Sequence, residues 1–504
     1  MPSPLTNIAL VTQSSWRFFF PDLVKQLKQS NDCAVHLYCA SKLHADFYRD
    51  RNSDNVFATI SVIEDNRSGS LPEIDDDQAV FEKARNFERL YGATINEICV
   101  ADRHLGRGYA LGGYYHPRSP ISELSSYAQV VELVNQQFEY WEREIEDKNI
   151  TLFINQKAES AVAIANAKGI PVRNPFESRH KNYHHWAIDG IQTNPAIEQE
   201  FNKIDEREFR ATEALITAPP TGHMVARNMH TNLYSASGAI RLAIKHSKEQ
   251  AYNYYKGNTA GQYYLTSKFK LGWRRWSDAR KLRKLRLPKL ADMADQPFVF
   301  FPLHVEPEVA LQGQSPEYLV QLSAIVSLSR DLPAGYRLVV KEHLGAVGRR
   351  PRNFYDQIME LKNVIFMEMF ELGKDIVQKA EIVATISGSA GLEAAVMGKP
   401  VIVFGRHNGY EFLPHVRLVD REVELKAIIN EFLEARNADD PQAELTRRRD
   451  GERFIEAVKK ASFDLGGYNH ITGKGYNDDD ISATIEALIA SLALELSEPP
   501  AATA

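Results

Sequence analysis

Short apolar runs alternate with amphipathic stretches over the first and last thirds of this chain, and the two periods predict strands and helices in turn. Asn7–Thr12, Ala34–Cys39 and Val56–Val62 read as strands, with a helix at Pro21–Gln29 between the first two. A helix follows Asp75-Asp76-Asp77 and runs to about Tyr91, and Ser125–Asp147 has the period of a long amphipathic helix. Thr151–Ile154 is the next strand. A helix at Ser160–Lys168 stops at Gly169, and Pro171 introduces the strand Val172–Asn174. Strand and helix in regular succession argue for a parallel, doubly wound sheet.

The pattern breaks between about 191 and 296, which reads as helical and polar without strand alternation. It resumes with strands at Phe298–Leu303, Arg337–Lys341, Val364–Phe366, Ile382–Ile386 and Val401–Phe404. Helices at Pro316–Ser329, Arg352–Leu361, Leu372–Ala380 and Ala390–Met397 separate them, and Glu422–Glu434 and Glu444–Ala461 follow. The fold class expected is α/β: two Rossmann-like doubly wound domains, 1–190 and 297–490, joined by a helical connector, 191–296, with a disordered tail at 491–504. Ligands of such sheets bind at the carboxyl ends of the strands, so the site is expected in the cleft between the two domains.

Composition narrows the class. The chain has 504 residues, 44% hydrophobic and 25% charged, with net charge −6, as in a globular protein with no global affinity for nucleic acid. Cys33, Cys39 and Cys99 have no metal-ligand spacing and read as buried small apolar residues of a reducing compartment. The opening MPSPLTNIALVTQSS lacks a basic n-region, and no segment approaches the roughly 18 apolar residues of a spanning helix. A cytoplasmic protein is expected. Against that acidic background Lys268–Lys289 holds ten Lys or Arg with Trp273 and Trp276 interleaved. It is either a solvated helix face or a peripheral contact with the inner face of the cytoplasmic membrane or a polyanion.

Candidate chemistry gathers at strand ends. In the second half, His304 follows the first strand, Lys341-Glu342-His343 ends the second, and Ser387-Gly388-Ser389 lies between the fourth strand and its helix. A Ser/Gly turn before a helix offers free backbone N–H groups and the positive end of the helix dipole, which suits a phosphate. Glu393 lies one turn into that helix, within reach of a ribose or sugar hydroxyl. In the first half, Asp102, Glu159 and Glu177 are carboxylates where loops enter the cleft, with Arg103 and Arg179 as partners for a substrate's negative charge. Asp75–Asp77 and Asp478–Asp480 precede helices and read as helix-start charges rather than metal ligands. Neither a Gly-rich dinucleotide fingerprint nor a Walker-type loop is present, so no cofactor and no metal are expected.

FPLHVEPE, LVVKEH and TISGSAGLEAAVMGKPVIVFG, in that order and spacing, resemble bacterial capsule and surface-polysaccharide biosynthesis proteins. That group includes transferases of 3-deoxy-manno-octulosonic acid (Kdo) that use CMP-Kdo. The resemblance implies a GT-B-like arrangement without a metal, and a His and a Ser turn that hold the cytidine nucleotide; His343 and Ser387–Ser389 match those positions. The family pairs that His with Pro, whereas Leu344 follows it here. NPFESR, with Glu177 and Arg179, loosely resembles an acidic-then-Arg-Ser segment of the same family.

The function expected is transfer of a sugar, with Kdo or a related keto-acid sugar favoured, from a CMP-linked donor to a surface polysaccharide or glycolipid. His304, Lys341, Glu342, His343, Ser387, Gly388, Ser389 and Glu393 would bind the nucleotide. Glu159, Asp102 or Glu177 would be catalytic, and Arg103 and Arg179 would meet substrate. The rivals are a UDP-sugar transferase or epimerase of similar fold, and a non-catalytic capsule assembly or export protein.

Overall fold

The structure is a computed structural model and describes residues 5–12, 16–52, 55–64, 71–102, 105, 121, 125–189, 192–205, 236–255, 265–293, 296–306, 308–406, 409–420, 424–437, 440–469 and 472–494. Two sheets carry the fold, as the two alternating regions of the sequence predict. The first contains β1 (Asn7–Val11), β2 (Ala34–Cys39), β3 (Thr59–Val62), β4 (Leu152–Ile154), β5 (Val172–Glu177) and β6 (Tyr183–Ala187). The second contains β7 (Phe298–Pro302), β8 (Arg337–Lys341), β9 (Val364–Met367), β10 (Ile382–Thr385), β11 (Val401–Val403) and β12 (Val416–Leu418). A last short strand, β13 (Phe463–Asp464), returns to the first sheet.

Strand order is β13-β6-β5-β4-β1-β2-β3 in the first sheet and β12-β11-β10-β7-β8-β9 in the second. β1 to β5 and β7 to β12 pair in parallel, and among these strands β5–β6 and β6–β13 are the antiparallel pairs. Both sheets are Rossmann-like. Chain order reverses between β1 and β4 in one and between β7 and β10 in the other, and each reversal splays the flanking loops apart into a crevice.

Helices cover both faces of each sheet. On the first sheet one face packs against the helices Asp77–Tyr91, Tyr127–Asp147 and Glu159–Lys168, and the other against Phe19–Ser30 and Asp478–Ser491. The helix starts are capped as their sequences dictate. Asp76 accepts from the N–H groups of Gln78 and Ala79, and Asn477 and Asp480 form a reciprocal capping box. The acidic runs at 75–77 and 478–480 are thus helix-start charges.

The packing of the last residues departs from the expected domain limit. The chain from β13 onward does not stay with the second unit. Ile481, Ile485 and Leu488 are buried on the first sheet, and the buried Arg173 of β5 donates to Ser491 Oγ at 3.1 Å and to the Ser491 carbonyl at 2.8 Å. Apolar burial and those satisfied donors hold the carboxyl-terminal helix on the first unit, so a division at 490 does not follow the packing. The described parts of the connector pack into the second unit. Ile197 and Phe201 enter one core of the second sheet, and Ala279 and Leu282 enter the other.

Candidate functional site

His304 and Ser387 stand at the crevice of the second sheet, one after β7 and one after β10. Ser387 donates its backbone N–H to His304 Nε2 at 3.2 Å, and Gly388 donates its own to Thr385 Oγ1 at 3.1 Å. With Nε2 accepting, the neutral imidazole carries its proton on Nδ1. Burial, then the charge of Arg350, push the His304 pKa down to about 3, so the ring stays neutral. A Cβ on Gly388 would lie 2.8 Å from His304 Nε2, so the turn can close this tightly only with glycine there. The helix Ser389–Val396 starts directly after it, with Gly388 as an N-cap that supplies no side-chain hydrogen bond. The positive end of its dipole, which attracts anions, lies at this turn, although Gly391 already donates its N–H to the Gly388 carbonyl at 3.1 Å.

The first sheet reaches this helix start through a hairpin between β5 and β6. Ser178 N–H donates to the Tyr183 carbonyl, and Arg179 and Lys181 take the left-handed conformation, φ +58° and +48°. A non-glycine residue there costs roughly 1 kcal/mol or more, and such strain gathers where a side chain must be aimed. The exposed Arg179 shares a recess of about 50 Å³ with Glu177, Ser178, His185, Gln314, Ser387 and Tyr410. That is room for one phosphate-sized group. The Arg179 charge acts on both sides of the recess, lowering the pKa of His304 and His185 and opposing the upward shift of Glu393 and Tyr410. His185 is held neutral by burial, near 4, with Nδ1 and Ser178 Oγ 2.9 Å apart.

Among the residues singled out in the sequence, Glu177, Arg179 and Ser387 meet in this recess, and Gly388 and Ser389 follow Ser387 in the chain without lining it. His343 is exposed at the end of β8. Its Nδ1 accepts from Gly345 N–H at 3.1 Å, and desolvation by the protein around it is the main cause of a pKa near 4. Glu393 is half-buried on the second turn of the helix, and burial raises its pKa.

Other candidates lie away from the recess. Glu342 is fully buried and takes two hydrogen bonds from Arg350, at 2.9 and 2.6 Å, and one from Tyr355 at 2.8 Å. It is a core ion-pair partner, because side chains alternate along the strand end and its turn points inward. Lys341 is 8% exposed, its ammonium 3.4 Å from the Glu342 carbonyl and 3.5 Å from that of Met369. His304 backs the turn and lends its Nε2 to the Ser387 N–H instead of lining the recess. Asp102 ends the helix Ile95–Ala101 and accepts from Leu105 N–H, while Gln312 of the second unit donates to the Val100 carbonyl at 2.9 Å. Glu159 opens the helix Glu159–Lys168 and does not line the recess. Arg103 lies outside the described residues.

Sequence reading missed His185, Gln314 and Tyr410. The signal for His185 was a hairpin: a turn at 179–182 followed by the aromatic run Tyr183–Ala187, whose two imidazoles disguise a strand. Two larger cavities lie elsewhere. One of about 960 Å³ opens at the opposite edge of the second sheet, where Glu381 precedes β10 and Lys399-Pro400 precede β11. Another of about 880 Å³ lies beyond β9, between Arg283–Lys289 and Glu368–Leu372. Among the described residues no group of three or more His, Cys, Asp or Glu is placed to hold a metal ion, and no helix is long and apolar enough to cross a membrane.

Residues 205–412 match the family described as capsule polysaccharide biosynthesis protein. The matched segment is less than half of the chain. It spans β7 to β11 and the turn at Ser387, the region whose motifs resemble the family in the sequence. No curated protein matches the chain. Among solved structures, the UDP-GlcNAc 2-epimerase of Neisseria meningitidis is similar at 12% identity, covering 96% of this chain and 100% of its own, with TM-score 0.30. KpsC of Thermosulfurimonas dismutans is similar in two structures. Its β-Kdo 2,7 transferase shares 14% identity over 63% of this chain and 91% of its own, with TM-score 0.29. Its β-Kdo 2,4 transferase shares 12% over 68% and 88%, with TM-score 0.31.

Proposed function

We propose that this protein is a cytoplasmic glycosyltransferase of capsule or surface-polysaccharide synthesis that uses a nucleotide-activated sugar, with a CMP-linked Kdo or related keto-acid sugar as the favoured donor. The observation that carries the reading is the meeting of Arg179, from the first unit, with Ser387, in the turn that leads into the helix Ser389–Val396 of the second, in one recess of about 50 Å³. The family match over 205–412 supports the same class of reaction.

In this reading the donor phosphate sits on the N–H groups that open the helix, with Arg179 facing it. A keto-acid sugar brings a second negative charge, which a guanidinium can pair in a fork. Glu177 is the one carboxylate of the three candidates that lines the recess, and we assign it the acceptor hydroxyl. As the bond from acceptor oxygen to anomeric carbon forms, Glu177 takes the hydroxyl proton. The bond from anomeric carbon to phosphate oxygen breaks, and the nucleotide leaves with the electron pair. Charge develops on that phosphate oxygen in an oxocarbenium-like transition state, where the helix start and Arg179 stabilise it without a metal.

The test is a thermal-shift and calorimetric panel of CMP, CDP and UDP on wild type and Arg179→Ala. Binding of CMP, weakened in the variant, is the expected result. Binding of UDP alone would move the reading to a UDP-sugar transferase or epimerase. No nucleotide binding at all would overturn it.

A further inference from the structure

The helix Ala236–Tyr255 presents an unusual face. Ile240, Ile244, Tyr252 and Tyr255 are 60, 51, 60 and 84% exposed. At 100° per residue they fall within a stripe of about 120°. Arg241, Lys245 and Lys248, also exposed, lie on or beside the same stripe. The helix contains these three cations and one carboxylate, Glu249, which stands four residues after Lys245 at the edge of the stripe, so the face keeps a net positive charge. Large apolar groups and cations are thus displayed together on a surface helix.

We propose that this helix rests on the surface of an anionic phospholipid bilayer. Charge complementarity identifies the occupant: Lys and Arg meet phosphate headgroups while Ile and Tyr side chains sink to the acyl boundary. A nucleic acid would use the cations and the tyrosine faces but would leave the two isoleucines in water, so it accounts for less of the stripe. A helix of 20 residues lying flat covers roughly 30 Å of membrane.

The platform is tied to the second unit. The helix packs against Leu265–Lys284, whose Ala279 and Leu282 are buried in the second core and whose Lys281 pairs with Asp356 at 2.7 Å. On the solvent side of that second helix Trp273 is 68% exposed, its ring 5.0 Å from Trp276, and Arg280 lies 4.9 Å over the Trp276 ring. Trp and Arg side by side are the pair expected at a headgroup boundary. Docking there would hold the second unit at the bilayer whichever ligand the recess takes, so the proposal stands independently of the donor reading.

Vesicle flotation tests it with the full chain. Wild type is expected to float with vesicles of phosphatidylcholine and phosphatidylglycerol, to stay behind with phosphatidylcholine alone, and to detach as salt rises. Lys245→Gln with Lys248→Gln should weaken partition about 25-fold, at about fivefold per cation. Ile240→Ser with Ile244→Ser should abolish it. Circular dichroism melting curves matching wild type establish that the variants fold. Absence of flotation with anionic vesicles overturns the proposal, as does flotation that neither variant changes. So does concentration-dependent dimerisation that the Ile variants abolish, or RNA binding in place of vesicle binding.

Discussion

The Ser387 N–H and His304 Nε2 join β10 to β7 across the point where strand order reverses, at 3.2 Å. The bond fixes the turn from which the helix Ser389–Val396 begins, so His304 positions a site it does not line. His304→Ala leaves that N–H without its acceptor and removes a buried ring. A loss of about 1–3 kcal/mol in unfolding free energy is expected. Nucleotide-induced stabilisation should fall with it, because the helix start loses its fixed aim. Urea unfolding with and without CMP measures both. A variant with wild-type stability and undiminished CMP response would remove His304 from the positioning role.

Arg350 holds together the layer beneath the turn. It donates to Glu342 and, at 2.6 Å, to the His304 carbonyl, and its Nη1 lies 3.1 Å from Glu306 Oε1. Burial raises the Glu342 carboxyl, but Arg350 and Tyr355 outweigh burial and hold its pKa below the usual range. Arg350→Ala strands two buried carboxylates. It should cost about 3–5 kcal/mol, while Glu342→Gln, which keeps the bonds that its one amide oxygen can accept and leaves Arg350 paired with Glu306, should cost less. Denaturation midpoints rank the two variants. Equal and small losses would mean that water enters the layer.

How far the sequence revealed this arrangement depended on which faces were buried. β1, β2, β7, β8, β10 and β11 are covered on both sides, so each is an apolar run with few competing readings. β6 hides because the buried His184 and His185 interrupt its apolar character, and β12 because its three residues carry Arg417 in the middle. The return of β13 and the helix Asp478–Ser491 to the first sheet rests on contacts more than 300 residues apart, such as Arg173 with Ser491. Local pattern carries no sign of them. The same limit governs the site. Ser387–Ser389 was legible as a strand–turn–helix, and Arg179 as a residue after a strand. Only the packing of two sheets shows that Arg179 belongs with Ser387 while Glu342 belongs to the core.

Arg179 separates binding from stability. It is exposed, and its φ of +58° is one that glycine adopts freely. Arg179→Gly should therefore leave the unfolding midpoint unchanged or slightly raised, since relieved strain offsets the greater freedom of the unfolded chain. A charge-assisted contact to a phosphate is worth roughly 1.5–3 kcal/mol, so nucleotide affinity should drop about 10- to 100-fold. Calorimetric titration with CMP beside a melting curve reads both quantities. An unchanged affinity would place the anion elsewhere.

Buried neutral histidines set the acid limit of the fold. His185, His304 and His415 are each at least nine-tenths buried, and burial is the main cause of pKa values near 4, 3 and 4. In the unfolded chain they titrate near 6.5, so between these values the unfolded state binds more protons. Stability is then fully present above about pH 6.5 and declines as pH falls, by up to about 2 kcal/mol per histidine between roughly pH 7 and pH 5. Glu368 and Glu393, raised by burial, act in the opposite sense and reduce the slope. His415 donates from Nε2 to the Ala395 carbonyl at 2.7 Å. His415→Gln keeps a donor there without a titrating ring. Its unfolding free energy should therefore be lower than wild type at neutral pH and lose less on acidification. Urea midpoints at two pH values measure the difference, and parallel pH profiles would show that His415 is already protonated in the native fold.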